Sequence, residues 1–374
     1  MTRPDIVPEH IRKLSPYVPG RSIEEAMEEL GLPGAVKLAS NENCLGTSPK
    51  AIEAMRKALD AGMARYADAN ATKLKGAIAL RWEIRPECIA CGNGSSEFIL
   101  VLAHALLGPG LNAVMSRPSF TLYAKNALAA GAEAREVPLD AGHGHDVKAI
   151  LSMCDSRTRL VFVDNPLNPT GAFLSRGQVN DLEKALPERA LLVLDEAYAD
   201  FSRERLPDMK ELVGRGRTAV LRTFSKLYGL AGIRAAWMAA PQEIAEAVNR
   251  ARQPFNMNSL AQAGALAALD DIGHVRRTEK TVWDSLDWLA EALGALGLKT
   301  FPTQANFLMA DSGPFSADEL AGELFRKGLI IRSLSSFGFR DKIRITAGLP
   351  EENAALVDGI RELLAKNTRS APGV

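Results

Sequence analysis

The middle of the chain alternates between short, almost wholly apolar segments and longer amphipathic ones. The apolar segments have the length of strands but lack the polar alternation of a half-exposed sheet. They occupy residues 112–116, 159–164, 191–195 and 220–223, and a more polar strand is predicted at residues 133–138. Continuous apolar strands separated by helices indicate an α/β fold, with a mostly parallel sheet covered by helices on both faces.

The remaining pattern is helical, with start and stop signals in places. A capping-box pattern at Ser22 to Glu25 predicts a helix that ends near Gly31. Apolar positions spaced three or four residues apart predict further helices. These cover residues 49–59, 71–80, 98–107, 123–130, 241–252, 278–296 and 352–365.

The last third of the chain has a different organisation. Shorter strands are predicted at residues 305–309, 329–332 and 342–346, with helices before and after them. This order is typical of a smaller α+β domain. We therefore expect three parts: an N-terminal arm and helix at residues 1–43, a large domain at 44–254 and a small C-terminal domain at 255–374. The N-terminal arm and helix are expected to pack with the small domain.

Polar side chains stand where three of the apolar strands end. Asn165, Asp195 and Thr223 each follow such a strand. The carboxyl ends of parallel strands meet at one edge of a sheet, where ligands of α/β folds bind. We therefore expect the binding site at this edge.

Composition narrows the class of protein. The 374 residues are 47% hydrophobic and 24% charged, with 45 basic and 45 acidic residues. A net charge of zero gives no general attraction for nucleic acid. No apolar run is long enough to span a membrane, and the first residues do not resemble a signal peptide. We expect a cytoplasmic enzyme, in agreement with only four cysteines.

Two short motifs have the appearance of metal sites. Cys88 and Cys91 have the C-x-x-C spacing, but no second pair follows, so buried structural thiols are the better interpretation. His143, His145 and Asp146 fall in a glycine-containing segment, which we interpret as a solvated turn because the ligand count is too low. We therefore predict no metal.

The segment TFSKLYGLAGIR, residues 223–234, carries the most informative chemistry. Lys226 lies beside the hydroxyls of Thr223 and Ser225, and Arg234 follows. A lysine amine forms a Schiff base with an aldehyde, and hydroxyls with a guanidinium suit a phosphate. Together these properties indicate pyridoxal 5'-phosphate (PLP). A surface lysine in a glycine-containing loop is the alternative interpretation.

Other residues match the needs of such a cofactor. Asp195 can hold a charged ring nitrogen, although it can equally cap a helix. Asn168 and Tyr198 can donate to the phenolic oxygen, and either Phe120 or Tyr123 can stack on the ring. The alternatives are a rigid Asn-Pro turn and ordinary core packing.

The glycines before residue 95 allow a second phosphate contact. Gly92 and Gly94 precede an apolar helix, so backbone N–H groups can approach a phosphate there. Glu97 replaces the last glycine of the dinucleotide fingerprint, which argues against a dinucleotide. A tight turn without a ligand is the alternative.

The motifs taken together resemble those of fold-type I PLP-dependent aminotransferases, most closely the histidinol-phosphate aminotransferase group. The resemblance covers nearly the whole chain. It is carried, in order, by LASNEN, NPLNPTG, DEAYADF, TFSKLYGLAGIR and IIRSLSSFGFRDKIRITAG. It implies transamination between an amino substrate, with histidinol phosphate favoured, and 2-oxoglutarate in histidine biosynthesis.

The resemblance also assigns roles to residues. Lys226 corresponds to the catalytic Schiff-base lysine and Asp195 to the partner of the ring nitrogen. The cofactor-binding positions implied are Ser95, Ser96, Phe120, Asn168, Asp195, Tyr198, Thr223, Ser225, Lys226 and Arg234, with Tyr66 reaching the phosphate of a neighbouring subunit. That last position implies a homodimer with shared active sites. The implied substrate-binding positions are Tyr17, Asn43, Arg332 and Arg344.

Some residues depart from the family pattern and leave the substrate open. Cys44 and Ala67 stand where proline is usual, Ser96 where aspartate is frequent, and Phe120 where tyrosine is common. An aromatic amino-acid aminotransferase and a threonine-phosphate decarboxylase remain alternatives on the same fold. A PLP-dependent transcription regulator is disfavoured, because only about twenty residues precede the first predicted helix and a DNA-binding domain does not fit there.

Overall fold

The computed structural model describes residues 6–16 and 23–370. Those residues form twelve strands: β1 (Val36–Lys37), β2 (Ile89–Gly92), β3 (Asn112–Arg117), β4 (Glu133–Pro138), β5 (Thr158–Asp164), β6 (Leu191–Asp195), β7 (Thr218–Thr223), β8 (Ala236–Ala239), β9 (Phe307–Asp311), β10 (Leu329–Ile330), β11 (Arg332–Ser333) and β12 (Lys342–Thr346).

The same residues form fourteen α-helices: α1 (Glu9–Arg12), α2 (Ile23–Leu30), α3 (Pro49–Asp60), α4 (Thr72–Trp82), α5 (Ser95–Leu106), α6 (Leu122–Ala129), α7 (Val147–Ser152), α8 (Arg176–Ala185), α9 (Met209–Gly214), α10 (Gln242–Ala251), α11 (Ser259–Leu269), α12 (Ile272–Ala295), α13 (Ala317–Phe325) and α14 (Pro350–Ser370). None of the helices in these two ranges combines the length and apolar character needed to cross a membrane.

A seven-stranded sheet forms the centre of the molecule. Its order is β2-β8-β7-β6-β5-β3-β4, and β8 is antiparallel to both of its neighbours. All other neighbouring pairs are parallel. The mostly parallel sheet expected from the apolar runs is therefore confirmed. Its strand order reverses between β3 and β5, which opens a crevice at the carboxyl edge.

Both faces of this sheet are buried, as continuous apolar strands require. Val161, Val163 and Leu192 belong to one apolar cluster, whereas Phe162 and Val193 belong to another. Successive side chains of a strand point to opposite faces, so the alternation assigns one cluster to each face. The sheet is thus a rigid support for the loops at its edge.

Two smaller sheets lie further along the chain. An antiparallel sheet has the order β11-β12-β9, and β10 pairs in parallel with β1. The single strand predicted at residues 329–332 is wrong, because the chain changes partners at Ile331. Residues before it pair with β1 and residues after it pair with β12.

Local capping explains where several helices begin. Ser48 accepts from the backbone N–H of Ala51, and Asp271 accepts from that of His274. Ser175 and Ser316 form complete capping boxes with residues three positions later. Such caps satisfy N–H groups that the first helical turn leaves without partners.

Candidate active site

A cavity of 170 Å³ lies at the carboxyl edge of the large sheet, in the crevice between β3 and β5. We call it the inner cavity. It is lined by Ser95, Ser96, Phe120, Tyr123, Asp164, Asn168, Asp195, Ala197, Tyr198, Thr223, Ser225, Lys226, Ala231 and Arg234. Residues that are far apart in the sequence meet here because strands β2, β3, β5, β6 and β7 run in the same direction and end at this edge.

Lys226 stands in the loop after β7 and faces the inner cavity. Its Nζ donates to the backbone carbonyl of Ser40 at 3.3 Å and lies 5.4 Å from the centre of the Tyr198 ring. Burial, together with the nearby Arg344, lowers the pKa of Lys226 to about 8. A fraction of the amine is therefore neutral near pH 7, as a nucleophile or base requires.

Asp195 ends β6 on the wall of the same cavity. The Tyr123 hydroxyl donates to Oδ2 at 2.9 Å, and the Ala197 backbone N–H donates to Oδ1 at 3.1 Å. Burial raises the pKa of Asp195 to about 6, although these two hydrogen bonds and Lys226 oppose the rise. The carboxylate is ionised at neutral pH and suits a cationic partner.

The other end of the inner cavity suits an anion. Helix α5 begins at Ser95 after Gly94, which has a φ of 89° and offers no side chain to cap the first turn. A Cβ at Gly94 would collide with the guanidinium of Arg234. The hydroxyls of Ser95, Ser96, Thr223 and Ser225 line the same space. Hydroxyls, free helix N–H groups and a guanidinium together favour a phosphate.

The two aromatic candidates for ring stacking have different positions. Phe120 is partly buried and faces the cavity. Tyr123 is fully buried beneath it, with its ring stacked on Phe162 at 4.8 Å and its hydroxyl on Asp195. Of the two candidates, Phe120 is therefore the one placed to stack on a ligand.

An outer cavity of 580 Å³ adjoins the inner one, and the two share Phe120, Asn168, Tyr198 and Lys226. Arg332 and Arg344 stand in its wall, directly opposite each other on β11 and β12. Arg344 donates to Asn168 Oδ1 at 2.6 Å and to the Ala39 carbonyl at 2.7 Å. Within residues 6–16 and 23–370, no carboxylate forms an ion pair with Arg332.

Two of the predicted site residues that the structure describes, Tyr66 and Asn43, lie outside both cavities. Tyr66 is 84% exposed and stacks on Phe255 at 4.6 Å, outside both cavities. Asn43 also lies outside them, because its side chain donates to the Leu227 carbonyl at 2.7 Å. Tyr17 lies outside the described residues.

Asn41 lines the outer cavity although sequence reasoning did not select it. It is buried and donates to the Tyr198 hydroxyl at 3.0 Å. The motif LASNEN contains both asparagines, and only the turn geometry, with Asn41 at a φ of 54°, decides which one faces the cavity.

The interpretation of His143 to Asp146 as a solvated turn is wrong for His145. That imidazole is buried, 2.7 Å from Ser116 Oγ and 2.9 Å from the Asp164 carbonyl oxygen. Asp146 instead caps α7. Across the residues that the structure describes, no group of three or more His, Cys, Asp or Glu side chains could hold a metal ion. Cys88 and Cys91 are both buried and unbridged, as predicted.

The model of the aminotransferase class I and II family matches residues 33–360 of this chain. The chain belongs to this family. It is a PLP-dependent aminotransferase with a type I fold.

Similar proteins cover the aminotransferase almost from end to end. "Histidinol-phosphate aminotransferase 2" of Pseudomonas fluorescens is 41% identical over 360 residues, which is 95% of this chain and 96% of that one. A protein with the same name from Carboxydothermus hydrogenoformans is 41% identical over 357 residues, covering 95% and 98% of the two chains.

Solved structures agree with this fold. The histidinol-phosphate aminotransferase of Sinorhizobium meliloti, crystallised with PLP, superposes with a TM-score of 0.90 at 26% identity, covering 98% of this chain and 99% of that one. Aspartate aminotransferase from Thermus thermophilus gives a TM-score of 0.83 at 23% identity over 96% and 99% of the chains, a likeness of fold alone.

The inner cavity of the aminotransferase fits PLP in its chemistry. The phosphate requires donors, which Arg234, the hydroxyls and the first turn of α5 supply. The ring nitrogen requires an anion, and Asp195 is a buried carboxylate with one hydrogen bond to each oxygen. The aldehyde requires an amine, and Lys226 faces the same space. All three requirements are met within one cavity.

Proposed function

We propose that this aminotransferase transfers the amino group of histidinol phosphate to 2-oxoglutarate, as a step of histidine biosynthesis. The names of its 41%-identical relatives support this substrate. In the structure, the supporting observation is the pair of guanidiniums, Arg332 and Arg344, in an outer cavity that opens onto Lys226. Both substrates are anions, and guanidiniums bind phosphate and carboxylate in a bidentate manner.

The residues of the inner cavity would hold the cofactor. Ser95, Ser96, Thr223, Ser225 and Arg234 would bind its phosphate. Phe120 would stack on its ring, while Asn168 and Tyr198 would face the phenolic oxygen. When bound, PLP withdraws electrons from the substrate carbon that carries the amino group.

Asp195 and Lys226 would perform the electrostatic and proton-transfer work. Asp195, ionised above pH 6, keeps a positive charge on the ring nitrogen. Lys226, with a pKa of about 8, would take a proton from the substrate carbon that carries the amino group and pass it to the cofactor's aldehyde carbon. Its amine can perform both steps because its pKa lies near neutral pH.

At the substrate end, Arg344 is the more constrained of the two arginines. Its hydrogen bonds to Asn168 and Ala39 fix one position of its guanidinium. Arg332 is partly buried and packs near the Phe337 ring, at 5.8 Å. We assign both to anion binding, and Asn41 rather than Asn43 to the adjoining wall.

A substrate panel tests the proposal. The values of kcat/KM are measured with 2-oxoglutarate for histidinol phosphate, histidinol, phenylalanine and threonine phosphate, and carbon dioxide release is followed in parallel. We expect histidinol phosphate to be preferred and no gas to form. A preference for phenylalanine would refute the substrate but not the transamination. Carbon dioxide from threonine phosphate without a keto acid would indicate the lyase.

We further infer a homodimer in which Tyr66 serves the neighbouring subunit. The support is that Tyr66 is exposed and remote from its own cavities while Phe255 holds its ring. Tyr66→Ala and Lys226→Ala variants would each have little activity. After the two variants are mixed and their subunits exchange, about half of the dimers should be hybrids, each with one intact site of two. About one quarter of the active sites in the mixture should therefore be intact. No recovery in exchanged dimers would contradict the shared site.

A further inference from the structure

A second buried carboxyl, Asp164, stands beside Asp195 and has no role so far. Asp164 ends β5 and Asp195 ends β6, and the two residues are register partners on adjacent parallel strands. Both are less than 5% exposed, and both line the inner cavity. Sequence reasoning selected Asn165 at this strand end and passed over its neighbour.

The hydrogen bonds of Asp164 connect two segments that border the cavity. Its Oδ2 accepts from the backbone N–H of Asn168 at 2.9 Å, which fixes the turn that presents the Asn168 side chain. Its Oδ1 is buried and has no hydrogen-bond partner among the described residues. Asp164 Oδ1 is thus a buried polar atom in a cavity-lining residue that can still form a hydrogen bond.

His145 lies behind Asp164 and holds the strand end. The Asp164 carbonyl oxygen can only accept, so Nε2 of His145 carries the hydrogen and donates to it at 2.9 Å. Nδ1 then accepts from the Ser116 hydroxyl at 2.7 Å. Ser116 belongs to β3, so this chain of bonds connects the segment leading to Phe120 with the end of β5. Burial lowers the pKa of His145 to about 4, so the ring is neutral.

The surroundings of Asp164 disfavour a negative charge. The titratable groups around it are Asp195, Tyr123, Tyr198 and the neutral His145, whose Nε2 is 3.5 Å from Oδ1. Two cationic side chains, Lys226 and Arg234, also line the inner cavity. Burial raises the pKa of Asp164 well above its usual range, and the charge of Asp195 adds to the rise, although the backbone N–H groups of Asn168, Asp164 and Phe120 oppose it. Two adjacent buried carboxyls ionise one at a time, and Asp195 accepts hydrogen bonds on both oxygens, from the Tyr123 hydroxyl and the Ala197 N–H.

We propose that Asp164 is a further positioning residue of the cofactor site, a neutral carboxyl that fixes the Asn168 turn against the inner cavity while Asp195 carries the negative charge. Its uncommitted Oδ1 is a hydrogen-bonding position for the polar edge of the cofactor. The inference concerns cofactor binding and is independent of which amino donor the enzyme uses.

The test compares Asp164→Asn and Asp164→Ala with the wild type and with Asp181→Asn, an exposed carboxylate on α8. Asparagine keeps an acceptor for the Asn168 N–H without a charge, and alanine removes it. The apo forms are titrated with PLP to give the dissociation constant, and their urea unfolding is recorded. The pKa of the bound cofactor's visible absorption band is measured for each holo form.

We expect Asp164→Ala to raise the dissociation constant about tenfold or more, and Asp164→Asn to stay within about threefold of the wild type. A neutral Asp164 also predicts that Asp164→Asn leaves the pKa of the absorption band within about 0.3 of the wild-type value. If Asp164→Ala does not fold, Asp164→Ser replaces it.

Two outcomes overturn the proposal. Wild-type affinity in the alanine or serine variant would show that Asp164 does not position the site. A fall of about one or more in the pKa of the absorption band in Asp164→Asn would show that the carboxyl is ionised, because removing a nearby negative charge favours loss of a proton.

Discussion

The hydrogen bond from Tyr123 to Asp195 gives the sharpest quantitative prediction. Tyr123→Phe removes one hydroxyl, which is fully buried and donates to Oδ2 at 2.9 Å, while the ring can remain stacked on Phe162. This bond lowers the pKa of Asp195, which burial has raised to about 6. Removing the hydroxyl should therefore raise that pKa further and leave less carboxylate at neutral pH.

The size of the effect follows from ordinary hydrogen-bond energetics. A hydrogen bond to a charged group contributes about 1.5–3 kcal/mol, which is equivalent to raising the pKa by about one to two. At pH 7 the ionised fraction of Asp195 should fall from about nine-tenths to between about one half and one tenth. If only the carboxylate holds the ring nitrogen, the dissociation constant of PLP rises about two- to tenfold at that pH.

The effect of Tyr123→Phe on PLP binding should weaken as the pH rises. The ratio of the variant's dissociation constant to that of the wild type should be about ten to one hundred at pH 5 and approach one near pH 9, where both carboxylates are ionised. The two dissociation constants are measured by titrating each apo form with PLP and following the visible absorbance. Tyr228→Phe is the control, since Tyr228 is buried and packs on Phe224, away from Asp195. A ratio near one at every pH would refute the assigned role of Tyr123.

Two further substitutions test the ends of the site. Gly94→Ala and Gly62→Ala should both lose about 1–3 kcal/mol of unfolding free energy, because both positions have positive φ. Only Gly94→Ala should also weaken PLP binding, since a Cβ there displaces Arg234 while Gly62 faces open space. Equal PLP affinity in the two variants would contradict phosphate binding by Arg234 and the first turn of α5. Arg332→Ala should lower kcat/KM for histidinol phosphate about ten- to a hundredfold and for histidinol less than about threefold, with exposed Arg189→Ala unchanged. Equal losses of kcat/KM for both substrates would show that Arg332 does not bind the substrate phosphate.

Sequence patterns predicted several strands well, both a wholly apolar one and ones that contain polar positions. Residues 133–138, 191–195 and 342–346 match β4, β6 and β12 to the residue. Strand β8 was missed, because four apolar residues after a loop have too little pattern to distinguish a strand from a turn. Helix α11 was missed because nearly every residue is small or apolar, so no polar face marks it.

The candidate site shows the same limit more clearly. Lys226 and Asp195 were recognisable because their chemistry is specific and each adjoins a strand end. The choice of Asn41 over Asn43, and the burial of His145, depend on turn conformations that the residue types do not specify. Asp164 was passed over because the sequence does not show that two neighbouring strand ends place their carboxyls side by side.

The proposed function requires one cofactor molecule bonded to Lys226, with Asp195 at its ring nitrogen. Borohydride reduction of the holoenzyme, followed by digestion and mass spectrometry, identifies the lysine that carries PLP. We predict a single modified peptide spanning Lys226, absent from the Lys226→Ala variant. Modification of another lysine, or of none, would show that Lys226 does not carry the cofactor.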